Sequence, residues 1–281
     1  MNPPTFVPDK SYGILQRGRV EGVVEEAVEQ VRQLGFAVLD AGYGAADLKG
    51  FSDAFAEAQL RYVARYGENQ LKSLGEIHTL RSLLVHGPDR FIELALNPIL
   101  LDALKKLIAG RFILNQQNGV VNPPQETYNQ GAWHRDLPYQ HFVSSSPLAI
   151  NALFCIDDFT AENGATFVLP ASHKAEAFPS PQYVSKNAMQ IEAKAGSFIL
   201  LDCMVFHTGG FNCSLHVRRG VNHVYNIPYF KQQINLPMSL SPSATENLTP
   251  EIKGILGFDT QEPKSVEEYL AQRQARKMGT N

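Results

Sequence analysis

Two short stretches hold the residues most suited to chemistry: Trp133-His134-Arg135-Asp136 and, far downstream, Phe206-His207-Thr208-Gly209. In an extended chain, side chains alternate between faces, so His134 and Asp136 point one way and Arg135 the other. With His207 they would make a two-histidine, one-carboxylate set. Such a set leaves coordination positions open and suits non-haem iron(II) that handles oxygen. On spacing alone, the same residues also fit a surface His134–Asp136 pair and a satisfied core histidine at His207.

Arg218 adds a second clue. It lies on the predicted strand 217–227, which could pair in a hairpin with the strand carrying His207. A guanidinium among Val and Tyr residues needs a counter-charge, since burying it unpaired costs several kcal/mol. Its planar fork is shaped to clamp a carboxylate, so a dicarboxylate co-substrate would supply that charge. Alternation allows only one of Arg218 and Arg219 to point inward.

These residues need a scaffold, and the 281-residue chain can build one. Hydrophobic residues at 44%, charged residues at 19% and a net charge of −3 describe an ordinary globular chain. Nothing there favours a nucleic acid or an anionic membrane as partner. No run approaches the roughly 20 apolar residues that span a bilayer, and the start of the chain lacks a basic-then-apolar leader. Cys155, Cys203 and Cys213 are odd in number and unclustered, so they read as buried thiols in a reducing, cytoplasmic setting.

Residues 21–34 carry Val23, Val24, Ala27, Val28 and Val31 at helical spacing, and Gly35 ends the helix before a short strand at 36–39. Asp47 to Tyr66 forms a second amphipathic helix, with Phe51, Phe55, Ala58, Leu60, Tyr62 and Val63 mostly inward. Residues 68–86 read as irregular, and 89–109 as two helices broken at Asn97-Pro98. From Arg111 the texture changes to short β-rich runs at 111–121, 133–136, 147–156, 165–169, 188–193, 197–202 and 217–227, the sixth read as continuing over 197–206 to end at His207. Short helices follow near 250–257 and 265–275. The expected plan is a mainly β double-sheet core with flanking helices in one continuous domain, 1–281. Within it, 1–110 is a mostly helical buttress, 111–230 the β core and 231–281 a C-terminal extension. The 68–86 and 231–248 segments are candidate lids.

Several motifs occur in a familiar order: Trp133-His134-Arg135-Asp136-Leu137, then Asp157-Asp158-Phe159, Glu162-Asn163-Gly164-Ala165-Thr166 and Leu169-Pro170-Ala171-Ser172-His173. They continue through Gly196-Ser197, Asp202, His207-Thr208-Gly209-Gly210-Phe211-Asn212-Cys213-Ser214 and Arg218. The chain thereby resembles the phytanoyl-CoA dioxygenase-like (PhyH-like) family of Fe(II)- and 2-oxoglutarate-dependent oxygenases, from about Val23 to Tyr229. The resemblance implies a double-stranded β-helix (jelly-roll, cupin-like) core, with Fe(II) on His134, Asp136 and His207. It further implies that 2-oxoglutarate chelates the iron and anchors its far carboxylate on Arg218, with O2 as co-reactant. Thr166 resembles the threonine of an N-G-x-T motif that helps hold this carboxylate. Asn115 and Gln117 lie where similar enzymes place polar contacts to co-substrate or substrate.

Two departures stand out. Gly209 occupies a place where the family pattern has serine, which removes a hydroxyl contact, and Ala171 replaces a glycine, which relaxes a turn. The retained Asp136 argues against halogenation, in which a small residue replaces the carboxylate ligand. Hydroxylation of a small polar molecule is the default expectation. Desaturation, ring closure or epimerisation would use the same ligands. A zinc hydrolase or a non-catalytic jelly-roll metal-binding protein would leave Arg218 without a role. Tyr139, Gln140 and His141 follow the H-x-D and should rim the substrate pocket, with Asn151 as a further contact. Arg135, facing away from the metal, is expected to form a structural ion pair.

Overall fold

The computed structural model describes residues 10–136 and 142–278. Helix α1 (Val23–Leu34) presents Ala27, Val28 and Val31 to the core, with Glu25 and Glu26 in its first turn and Arg32 in its last, where they complement the helix dipole. Gly35 closes it at φ 88°, a left-handed conformation that glycine adopts without steric cost, and donates its N–H to Val31 O at 2.9 Å. Strand β1 (Phe36–Asp40) follows, then α2 (Ala45–Tyr66), α3 (Glu68–Ser73), β2 (Thr79–Leu80), α4 (Leu83–His86), α5 (Pro88–Ala95) and α6 (Pro98–Leu107). Asn97 caps α6 by accepting Leu100 N–H at 2.9 Å, which explains the break between α5 and α6.

The β region comprises β3 (Ile113–Asn122), β4 (Ala149–Cys155), β5 (Phe167–Val168), β6 (Met189–Gln190), β7 (Ser197–Asp202), β8 (His207–Thr208) and β9 (Arg218–Asn226), with α7 (Pro181–Asn187) before β6. Helices α8 (Leu236–Ser239), α9 (Pro242–Thr245), α10 (Pro250–Ile255) and α11 (Val266–Met278) complete the chain. Six strands form one antiparallel sheet in the order β1-β7-β4-β9-β3-β2, and a smaller antiparallel sheet runs β6-β5-β8. An antiparallel bridge between His134 and His207 extends the small sheet. Together the sheets form a double-stranded β-helix flanked by helices.

Side-chain alternation divides the core into layers. From the large sheet, Ala37, Leu39, Ala152, Phe154, Phe198, Leu200, Val221 and Tyr225 pack with Phe51 and Phe55 of α2, Phe91 of α5 and Leu104 of α6. The alternate residues Cys155, Ile199 and Leu201 face Phe159, Val168 and Ile191 on the opposite side. Strand β7 is buried along its whole length, hence its near-continuous apolar run. Phe51 and Phe55 are fully buried, each contributing about 1.5–3 kcal/mol from area removed from water.

Several expectations change. Val23 and Leu60 are exposed, at 70% and 73%, because each sits just off the buried stripe of its helix. Residues 68–86 are not irregular: they hold α3, β2 and α4. Residues 133–136 form a bridge rather than a strand. The strand expected over 197–206 ends at Asp202, because a turn there, with Val205 N donating to Asp202 O at 2.8 Å, sends the chain from β7 to β8 of the other sheet. Strand β9 consequently pairs with β3 and β4, not in a hairpin with β8. Cys155 and Cys203 are buried, whereas Cys213 is exposed. Ala171 stands at φ 61°, so the turn keeps a left-handed backbone that costs a non-glycine residue about 1–2 kcal/mol. Among the described residues no helix is long and apolar enough to cross a membrane.

Candidate metal centre and its adjoining cavity

His134, Asp136 and His207 converge, with one ligand atom from each lying within 4.8 Å of the others. Both imidazoles turn Nε2 toward Asp136 Oδ1, at 3.8 Å from His134 and 3.6 Å from His207. Their other nitrogens meet backbone carbonyls: His134 Nδ1 lies 2.7 Å from Ala132 O and His207 Nδ1 3.1 Å from Val205 O. A carbonyl only accepts, so each Nδ1 carries the hydrogen and each Nε2 keeps a lone pair directed inward. Burial holds the His207 pKa below its usual range, opposed by Asp136 and assisted by His134, which keeps the ring in its ligand form. Two imidazoles and a carboxylate around one point fit a divalent first-row metal with open positions.

The backbone fixes this geometry. Main-chain bonds join His134 N to His207 O at 3.0 Å and His207 N to His134 O at 3.1 Å, so the two ligands share one bridge. Asp136 N donates to Cys203 O at 3.1 Å, and Asn151 Nδ2 donates to Asp136 Oδ2 at 2.8 Å. That leaves Oδ1 facing the two Nε2 atoms. Outer contacts of this type hold a ligand's orientation. Asn151→Leu is therefore expected to weaken metal binding by about 10–100-fold, measured by competitive titration against a chelating dye; unchanged affinity would remove Asn151 from this role.

Arg135 turns away from the ligands. Its guanidinium lies over the Phe206 ring at 3.8 Å and donates to the carbonyls of Ser172 at 2.9 Å, Glu176 at 3.1 Å and Ala175. Ser172 Oγ in turn accepts Phe206 N–H at 2.9 Å. These carbonyl bonds staple the segment that carries His134 and Asp136 to the Ser172–Lys174 turn.

One cavity joins the metal ligands to Arg218: His134, His207, Asn151, Thr166, Tyr128, Gly209 and Arg218 all line it. Arg218 is 3% exposed, sits 3.9 Å from the Phe159 ring centre, and donates through Nη2 to Tyr128 Oη at 3.3 Å. Its buried Nε has no hydrogen-bond partner, and no carboxylate among the described residues lies within salt-bridge distance. Arg219 faces the other way and makes a bidentate pair with Asp157, at 2.7 and 3.0 Å. An uncompensated guanidinium in a cavity that also holds metal ligands is suited to an anionic ligand.

Asn115 and Gln117 belong elsewhere. A bulge between Leu114 and Gln116 shifts the alternation of β3. Asn115 Nδ2 donates to Lys231 O at 2.8 Å. Gln117 points under the helices, bonding Phe91 O at 2.7 Å and lying 2.9 Å from His223 Nε2. Burial drops the His223 pKa to about 4, so that ring is a neutral acceptor. Gln116, Asn118 and Val120 instead line a second cavity of about 210 Å3 beside His134 and Asp136, with Thr79, Arg81 and Asn222. Parity along β3 would have revealed Asn118 had the bulge been legible. Tyr128 and Arg81 left no spacing signal. Tyr139, Gln140 and His141 lie outside the described residues.

The chain belongs to the phytanoyl-CoA dioxygenase (PhyH) family, whose model matches residues 31–220. Its enzyme class is that of the non-haem iron, 2-oxoglutarate-dependent dioxygenases. It is similar to Uncharacterized protein Rv1501 of Mycobacterium tuberculosis, 28% identical over 88% of this chain and 91% of the relative. Dioxygenase af480 of Aspergillus fumigatus is 24% identical over 90% of this chain and 82% of its own. Among solved structures, the epimerase SnoN in complex with Fe3+, alpha ketoglutarate and nogalamycin RO shares the fold. It has a TM-score of 0.55 and 18% identity over 72% of this chain and 83% of that one.

Proposed function

We propose that the protein hydroxylates a small polar metabolite or biosynthetic intermediate, converting a C–H bond, 2-oxoglutarate and O2 into an alcohol, succinate and CO2. His134, Asp136 and His207 would hold Fe(II), while Arg218 and Thr166 would receive the far carboxylate of 2-oxoglutarate. Iron with its co-substrates would supply the oxidising power. The chain's own residues place the reactants and keep water out. The observation that carries this reading is the single cavity shared by the two histidines and the unpaired, buried Arg218.

The second cavity supports the polarity of the substrate. Its wall carries the carboxamides of Gln116, Asn118 and Asn222 and the hydroxyl of Thr79. The Thr79 hydroxyl is buried without a partner. Arg81 also lines it, but its charge is already balanced by Glu76, through contacts of 2.6 and 2.8 Å. Apart from Arg135 and Asp136 at the end nearest the candidate ligands, the wall offers mainly uncharged hydrogen-bonding groups, which favours a molecule bearing hydroxyl or amide groups.

Anaerobic addition of Fe(II) and then 2-oxoglutarate should produce a weak visible charge-transfer band; its absence in intact protein would sink the reading. With a turned-over substrate in hand, 18O from 18O2 should appear in the product. Succinate release without label in the product would instead favour desaturation, ring closure or epimerisation at the same site.

A further inference from the structure

Gly209 and Tyr128 occupy one place from two directions. A Cβ built on Gly209 would lie 2.0 Å from Tyr128 Oη and 2.9 Å from Tyr128 Cζ. The phenol hydroxyl thus fills the volume that a side chain at 209 would take, inside the cavity that also holds Thr166, His207 and Arg218. The placement is built into the backbone. Tyr128 enters a tight turn at Asn129–Gly131, where Gly131 N donates to Tyr128 O at 3.0 Å. Gln130 O then accepts Gly209 N–H at 2.8 Å, tying the turn to the end of β8.

The hydrogen bonding of this hydroxyl is half used. Its oxygen accepts from Arg218 Nη2 at 3.3 Å. Its own hydrogen has no acceptor among the described residues, so it remains available to a ligand. Burial pushes the phenol pKa above its ordinary value, opposed by Arg218, so the group stays a protonated donor at physiological pH. A guanidinium and a phenol O–H side by side, the first with a free buried Nε, make a two-donor cradle for one carboxylate.

We propose that Tyr128 is a co-substrate-binding residue whose hydroxyl donates to the same carboxylate that Arg218 engages, in place of any side chain at position 209. This inference rests on 2-oxoglutarate binding in the cavity, as proposed above. It assigns the bare Cα of Gly209 a purpose: room for the Tyr128 ring tip. It also makes the two positions interchangeable as sources of one hydroxyl.

The test is calorimetric titration under nitrogen of the full-length, Mn(II)-loaded protein with 2-oxoglutarate and with 2-oxopentanoate, which lacks the far carboxylate. Tyr128→Phe should bind 2-oxoglutarate about tenfold more weakly, as expected for a lost hydrogen bond to a charged group, and 2-oxopentanoate as wild type does. In turnover, KM for 2-oxoglutarate should rise with kcat little changed. Gly209→Ser alone should weaken binding by forcing the ring aside. The double variant Tyr128→Ala/Gly209→Ser should recover affinity relative to Tyr128→Ala. Unchanged 2-oxoglutarate affinity in Tyr128→Phe, or equal losses for both acids, would overturn the inference while leaving the proposed function standing. A wild-type protein that does not bind 2-oxoglutarate would overturn both.

Discussion

Asp136→Ala is expected to lower 2-oxoglutarate turnover to succinate by roughly three orders of magnitude or more, because it removes the one anionic metal ligand. Both histidine Nε2 atoms are aimed at Asp136 Oδ1, so the substitution leaves two imidazoles and no carboxylate at that point. The fold should be little affected. The segment is held through main-chain bonds from His134 to His207 and from Asp136 N to Cys203 O, and alanine preserves all of them. Unfolding free energy without metal should therefore stay within about 1 kcal/mol of wild type. Succinate release at the wild-type rate would refute the ligand assignment, and loss of the folded state would refute the account of what holds the segment.

Arg218→Met separates the cost of a buried charge from its use. In the absence of 2-oxoglutarate, the guanidinium is buried with no carboxylate among the described residues within salt-bridge distance. Its support is the Tyr128 hydroxyl and the Phe159 ring. Replacing it with an apolar side chain of similar reach should leave the ligand-free protein as stable as wild type, or more stable by about 1–3 kcal/mol. The same change should weaken 2-oxoglutarate binding by roughly 30- to 4,000-fold, the equivalent of losing one partner of a buried charge pair. Thermal unfolding with and without 2-oxoglutarate reads both effects together. Wild type should gain stability with ligand concentration, and the variant should not. A variant that is strongly destabilised without ligand, or equally stabilised by it, would show that Arg218 serves the fold rather than the co-substrate.

How much of this was legible beforehand depended on how local the cause was. Helix α1, its glycine stop and the Asn97-Pro98 break rest on periodicity and capping within a few residues. That Arg218 and Arg219 face opposite ways follows from strand alternation; that Arg218 is the one turned into the cavity does not. Asn115 and Gln117 lie away from that cavity, because alternation carries a face assignment only as far as the next bulge, and β3 has one between Leu114 and Gln116. Likewise, residues 68–86, which read as irregular, hid a strand whose first residue, Thr79, lines the cavity beside His134. Its pairing with β3 lies outside any local window.

The sequence by itself determined which residue types could serve as ligands, their order and the arginine proposed to accompany them, because motif order survives without knowledge of strand pairing. Only the tertiary structure decided how they meet. It put His134 and His207 on one bridge, turned β7 into β8 across two sheets, and set Asn151 against Asp136. It also brought Tyr128 over Gly209, a contact made by the return of the chain through the second sheet. No spacing along one strand encodes such a contact, since it depends on the path of every element between the two residues.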